Sequence, residues 1–140
     1  MYLLYMARVK NKTNMLRFPI PLEEVPTKKN GQTTENFVDF NGIEYTFITG
    51  SKPVEFSIST SIPRTGVKYP FQVVKNPNPS DYKNLLYGAF KDHEPVEIVV
   101  CDNNGNIVIK GSYSINAFED GINKVGDTTI SIDCKEWTAY

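Results

Sequence analysis

The stretch Phe37-Val38-Asp39-Phe40-Asn41-Gly42-Ile43-Glu44-Tyr45-Thr46-Phe47-Ile48 reads as two short strands joined by a tight turn. Asn41-Gly42 is the dipeptide preferred where both central turn residues need a positive φ. The partner strand alternates, which places Ile43, Tyr45 and Phe47 on one face. Thr49-Gly50-Ser51-Lys52-Pro53 breaks the pattern, and Val54-Glu55-Phe56-Ser57-Ile58-Ser59 resumes it with Val54, Phe56 and Ile58 inward. Aromatic and β-branched residues dominate all three segments, so the chemistry favours a pleated sheet over a helix.

Toward the N-terminus, residues 28–35 read as a polar loop. Before it, Pro19-Ile20-Pro21-Leu22-Glu23-Glu24-Val25-Pro26 holds three prolines in eight residues. Each proline lacks a backbone donor, so the segment is no central strand or helix interior. It is extended, or at most one helical turn starting at Pro21. Its apolar residues Ile20, Leu22 and Val25 need cover from the domain or from a partner. Met15-Leu16-Arg17-Phe18 is a short strand, Asn11-Lys12-Thr13-Asn14 a turn, and Tyr2 to Arg8 a first strand, apolar on both faces.

Toward the C-terminus, residues 62–80 form a long irregular segment carrying Pro63, Gly66, Pro70, Pro77 and Pro79. Loops of that length in a compact domain are often functional. One helix follows. Pro79-Ser80 offers its N-cap, Asp81 complements the dipole, and Tyr82, Leu85, Leu86, Ala89 and Phe90 recur at helical spacing. Asp92-His93-Glu94-Pro95 ends it. Residues 96–101 make an apolar central strand, and Asp102-Asn103-Asn104-Gly105-Asn106 a turn. Residues 107–118 return, residues 119–126 form a polar loop, and residues 127–137 close the chain as a strand in which Ile130, Ile132 and Cys134 alternate with polar residues.

The 140 residues fit a single domain, 1–140, large enough to fold without a disulfide or metal. A formal net charge of −1 gives no basic excess for binding phosphates, so nucleic acid is not expected as a partner. The apolar start is too short to span a bilayer and lacks the flanks of a signal peptide, so no membrane is expected. Cys101 and Cys134 read as reduced, buried small hydrophobes on strands.

Catalytic machinery is not legible. His93 is the single histidine, and its place at a helix end is explained by the dipole. No nucleophile elbow, zinc-protease helix or phosphate loop occurs. Residues 102–106 open like a calcium loop, but Ile107 and Tyr113 stand where that loop needs Gly and Glu. Glu23 and Glu24 are neighbours on an extended chain and point apart, which suits an acidic docking edge better than a carboxylate pair. The expectation is no enzyme, no metal and no cofactor.

Phe18-Pro19-Ile20-Pro21-Leu22-Glu23-Glu24 resembles the F/L-P-x-P-P-E-E opening of the LysM-type tail assembly proteins of PBSX-like prophages and related contractile tails. Residues 40–46, residues 54–63, and the closing runs at 95–100, 112–115 and 125–137 are similar to that family as well. The resemblance covers most of the chain from Phe18 onward. It departs at Leu22, where the family has a second proline. Many members continue into a LysM domain, whereas this sequence ends at Tyr140, so peptidoglycan binding by LysM is not carried over. The resemblance implies a mainly β (α+β) fold, a small, tail-tube-like β-barrel or sandwich flanked by one α-helix.

It also implies a structural role as a baseplate hub or adaptor subunit of a phage or phage-derived contractile tail, such as a bacteriocin. Such a subunit would join tail tube, central hub or spike, and wedge, with the tape measure a further candidate partner. A symmetric homo-oligomeric ring is expected, assembled in the bacterial cytoplasm and then carried in the particle. The candidate interface residues are Phe18, Pro19, Ile20, Pro21, Leu22, Glu23 and Glu24 on the proline-rich arm, with Tyr69 and Phe71 on the long loop. The rival readings are a cell-wall or carbohydrate-binding module at the tail tip, whose aromatics would form a flat platform, and an enzyme or enzyme activator, which would need a cleft of convergent carboxylates.

Overall fold

The computed structural model describes residues 1–11 and 15–137. Seven strands form one antiparallel sheet. They are β1 (Tyr2–Arg8), β2 (Leu16–Arg17), β3 (Lys29–Val38), β4 (Glu44–Ile62), β5 (Val96–Asp102), β6 (Ile107–Ile122) and β7 (Thr128–Glu136), in the order β2-β1-β5-β6-β7-β4-β3. The helix α1 (Pro79–Lys91) lies between β4 and β5 in sequence. The mainly β fold with one flanking helix is the one expected, realised with all strands in a single sheet. The expected turn at residues 11–14 lies outside the described residues except for Asn11, which ends a single 3-10 turn, Val9–Asn11.

Period-two alternation builds the core. Leu4 and Met6 on β1 face the same side as Val96, Ile98 and Val100 on β5, because Leu4 pairs with Val100 and Met6 with Ile98. Ile109 on β6, Ile130 and Ile132 on β7, and Phe56, Ile58 and Ile62 on β4 continue that layer. Each such buried side chain contributes about 1.5–3 kcal/mol through removal from water. α1 closes the layer with Tyr82, Leu86 and Ala89. Edge-to-face ring contacts tie it together, Phe18 on Tyr82 at 5.0 Å and Phe56 on Tyr113 at 4.8 Å.

Three hairpins use one turn. Gly42, Gly105 and Gly126 donate N–H to the carbonyls of Asp39, Asp102 and Asn123, three residues earlier, and all three glycines have φ between 78° and 93°. In each, the leading Asp or Asn accepts backbone N–H bonds two and four residues ahead through its Oδ1. This is a type I turn followed by a glycine bulge, not the two-residue turn expected from Asn41-Gly42. The same bonds occupy the Asp102 carboxylate. Hydrogen bonds from the Asn106 backbone and side chain, more than anything else, hold it below the ordinary carboxylate range.

Three expectations fail because the strands run on through segments that read as loops. Of residues 28–35, read as a loop, 29–35 are most of β3; residues 49–53, read as a break, lie inside β4; of residues 119–126, read as a loop, 119–122 end β6. The glycine and proline of β4 mark bulges. Between Thr33↔Gly50 and Thr34↔Ile48 the strand carries one extra residue, Thr49, whose hydroxyl donates to Thr33 O. Another extra residue falls between Gly31↔Lys52 and Lys29↔Glu55, where Pro53 costs no ladder bond. The helix N-cap is Asn78, one residue before the expected pair. Its Oδ1 accepts from Ser80 N–H, which leaves Pro79 at the first helical position.

Candidate functional site

β4 pairs with β7 only from Glu55 onward. Residues 44–54 are flanked by β3 alone, so at ~3.3 Å per residue the hairpin projects about 36 Å from the sheet body. Its side chains are exposed from residue 40 to residue 53 without interruption. Phe37 lies opposite Tyr45 and Glu35 opposite Phe47, so Phe37, Tyr45 and Phe47 share one face. The alternation places Tyr45 and Phe47 on one face, and the structure leaves that face largely bare. Phe37 and Phe47 are each 57% exposed, and Phe40 at the tip is fully exposed.

This arrangement carries a physical consequence. A two-stranded hairpin alone is marginally stable in water. Phe37, Phe40, Tyr45 and Phe47 leave roughly 500 Å² of ring surface exposed, taking about 200 Å² per side chain. Val38 and Ile48, also more than half exposed, lie on the opposite face, since Val38 pairs with Glu44 and Ile48 with Thr34, so both faces of the hairpin expose apolar side chains.

The proline-rich arm is divided between core and surface. Phe18 and Leu22 are buried in the core, and Pro19 and Pro21 are buried as well. The Phe18 N–H donates to Leu4 O, and Leu22 and Tyr2 exchange backbone bonds at 2.8 Å, so the arm runs extended along β1 without a helical turn. Ile20 is half-buried, and Glu23 and Glu24 are exposed. Together with residues of β4, β6 and β7 the arm lines a groove of about 920 Å³. Glu23, Glu24, Glu119 and Asp120 line it and no lysine or arginine does. Thr60, also on the groove, has the only buried side-chain polar atom without a hydrogen-bond partner among the described residues.

The long loop meets the arm where Val73 N–H donates to Pro19 O at 2.9 Å. Tyr69 and Phe71 stack on each other at 5.4 Å. Tyr69 is half-buried and Phe71 is exposed. The Tyr69 hydroxyl and the Arg64 backbone and guanidinium all donate to the Asp127 carboxylate. Burial alone would raise that carboxyl, but these bonds outweigh it and hold it below the ordinary range.

The remaining titratable groups serve structure. Burial first, then the Asp133 charge, pushes the Cys134 thiol up to about 12, so it stays a thiol at neutral pH. Cys101 and Cys134 are both free. Arg8 bridges Asp92 and Glu94, which joins β1 to the helix end. Bonds from Lys10 and then Arg8 lower the Glu94 carboxyl. Among the described residues no cluster of three His, Cys, Asp or Glu side chains could hold a metal ion, and no helix is long and apolar enough to cross a membrane.

A second exposed aromatic patch lies on the body. Tyr87 and Phe90 of α1 pack edge-on against Phe118 of β6 at 4.8 and 5.4 Å, yet each is about half exposed. Ile122, further along the same face of β6, is 72% exposed. Neither this patch nor the hairpin surface was found from sequence. An apolar residue at the correct period reads as core whether the molecule or a partner covers it.

No protein-family model and no curated protein sequence matches the chain. Solved structures do share its fold. A chain from the baseplate of the anti-feeding prophage, determined with 6-fold symmetry, superposes with a TM-score of 0.58 at 7% identity, over 98% of this chain and 89% of that one. A chain from the tail of an empty gene transfer agent particle, refined with C6 symmetry, gives 0.53 at 14% identity over 98% and 92%. A chain of the native gene transfer agent virion gives 0.54 at 12% identity over 97% and 92%.

Proposed function

We propose that this chain is a structural subunit of a phage or phage-derived tail, acting in the baseplate region as an adaptor between tail tube, central hub or spike, and wedge. The observation that carries the reading is the projecting hairpin, which exposes apolar side chains on both faces and at its tip, from Phe37 to Ile48. Fold likeness to chains from a tail and a baseplate of six-fold symmetry, over nearly the whole length, supports the choice of assembly.

The mechanism is surface burial. The chain assembles in the bacterial cytoplasm into a symmetric ring and remains in the finished particle. The arm's Ile20, Glu23 and Glu24 and the loop's Tyr69 and Phe71 contribute further contacts, while Phe18, Pro19, Pro21 and Leu22 act from beneath as the arm's anchor. LysM-type identity is part of the same proposal and rests on the arm motif.

Deleting the coding sequence and imaging particles by electron microscopy tests the role. Tails arrested at or before baseplate completion, restored by supplying the protein, are expected. Complete, contractile particles without it would refute the reading.

A further inference from the structure

We propose that the β3–β4 hairpin of one copy docks on the α1/β6 aromatic patch of a second copy, head to tail, as the contact that closes a ring. The inference rests on the assembly role above and names its partner and its site.

Two unpartnered apolar surfaces sit on different parts of one chain, the hairpin face with Phe37, Tyr45 and Phe47 and the body patch with Tyr87, Phe90 and Ile122. When the contacting surfaces differ, copies associate heterologously, and such contacts close into rings when the rotation allows. The hairpin's reach of about 36 Å matches the width of a compact body of this chain length, roughly 35 Å. It can therefore span a neighbour.

Charge decides between the two acceptors the body offers. The distal part of the hairpin, residues 30–51, contains Glu35, Asp39 and Glu44 and no lysine or arginine, while Lys28, Lys29 and Lys52 lie at its base. The groove beside the proline-rich arm is lined by acids with no basic residue, so it repels this segment. The helix patch does the opposite. Lys83 and Lys91 stand four residues either side of Tyr87 on the same helical face. Asp120, which also lines the edge of the groove, reaches this patch, where the Tyr87 hydroxyl donates to it at 2.8 Å and the Lys83 ammonium lies 4.0 Å away. Glu35 lies on the same hairpin face as Phe37 and Phe47, where it can meet Lys91 as the rings bury.

The test places the photo-cross-linker p-benzoylphenylalanine at Phe40 of the full chain, fully exposed and so tolerant of change. Equal amounts of ¹⁴N- and ¹⁵N-labelled protein are mixed at assembly concentration. Mixed-isotope cross-links from residue 40 to the peptide spanning residues 83–91 are expected. Glu35→Lys and Lys91→Glu should each cut their yield at least fivefold, and the double swap should restore it. Cross-links concentrated on residues 20–27, no mixed-isotope product, or single swaps without effect would each overturn the proposal. Within particles, a cross-link from residue 40 to a different tail protein would leave the tail role standing and sink the second-copy contact. A mixed-isotope cross-link at residues 83–91, combined with complete particles in the deletion strain, would do the reverse.

Discussion

Tyr69 donates its phenolic hydrogen to Oδ2 of Asp127 across 2.6 Å, and this bond ties the long loop after β4 to the turn between β6 and β7. Arg64 approaches the other oxygen from the start of the same loop, by its backbone at 2.9 Å and its guanidinium at 3.3 Å. One buried carboxylate thus holds the first half of a segment, residues 63–78, that has little regular structure of its own.

Asp127→Ala strands these donors and should cost about 1–3 kcal/mol at pH 7. The bonds depress the folded-state pKa. The stabilisation is therefore complete above the unfolded value, about 3.9, and lost as pH falls through the lower folded value. Urea denaturation at several pH values should show the wild-type advantage at pH 7 shrinking steadily below pH 4. An equal gap at pH 7 and pH 3 would show that the carboxylate charge contributes nothing.

His93 occupies the left-handed position after α1, with φ 55°. Glu94 N–H bonds Ala89 O at 3.0 Å and His93 N–H bonds Phe90 O at 3.4 Å, the pair of bonds that ends a helix in the Schellman manner. A side chain there costs roughly 1–2 kcal/mol, and glycine avoids most of it. His93→Gly should stabilise the fold by about 0.5–1 kcal/mol, net of the backbone freedom glycine gains when unfolded, and so raise the thermal midpoint. A lowered midpoint would assign the imidazole a contact of its own.

The sheet was legible because its core strands alternate. Phe56 and Ile58, the apolar run at residues 96–101, and Ile130, Ile132 and Cys134 lie where their period puts them, whereas Val54, expected inward with them, is only half-buried because it precedes the stretch that β7 covers. What escaped was continuity. Gly50 and Pro53 are punctuation in a local reading, yet a strand of 19 residues absorbs them as bulges because β3 runs alongside. The arm was half legible, since proline spacing shows an extended segment but not that Phe18 and Leu22 turn inward. The hairpin surface was invisible for a deeper reason. Phe37, Tyr45 and Phe47 carry the same alternation as Phe56 and Ile58, and only the position of β7, which stops pairing with β4 at Glu55, separates a covered face from a bare one.

The shared turn predicts a shared sensitivity. A Cβ at Gly105 meets nothing within 4 Å, so only its φ of 85° resists substitution. Gly105→Ala should cost about 1 kcal/mol, and Gly105→Asn clearly less, because asparagine tolerates the left-handed region. Chemical denaturation of the two variants checks the ranking. Equal losses would mean that the turn relaxes to another geometry.

The hairpin separates stability from assembly. Ile132, with no exposed surface, should lose about 2–5 kcal/mol as Ile132→Ala, through lost burial and a cavity. Phe37→Ser and Phe47→Ser touch no core residue, so each should change monomer stability by no more than about 0.5 kcal/mol. If these rings anchor an interface, each substitution removes about 2 kcal/mol of contact or more, which is roughly a thirtyfold loss in self-association. Sedimentation velocity over a concentration series, beside thermal denaturation of the same samples, measures both quantities. Unchanged midpoints with lost assembly are expected. A large fall in the midpoint would instead mean that the rings pack on their own body, and the projecting surface would then be part of the fold rather than a site for a partner.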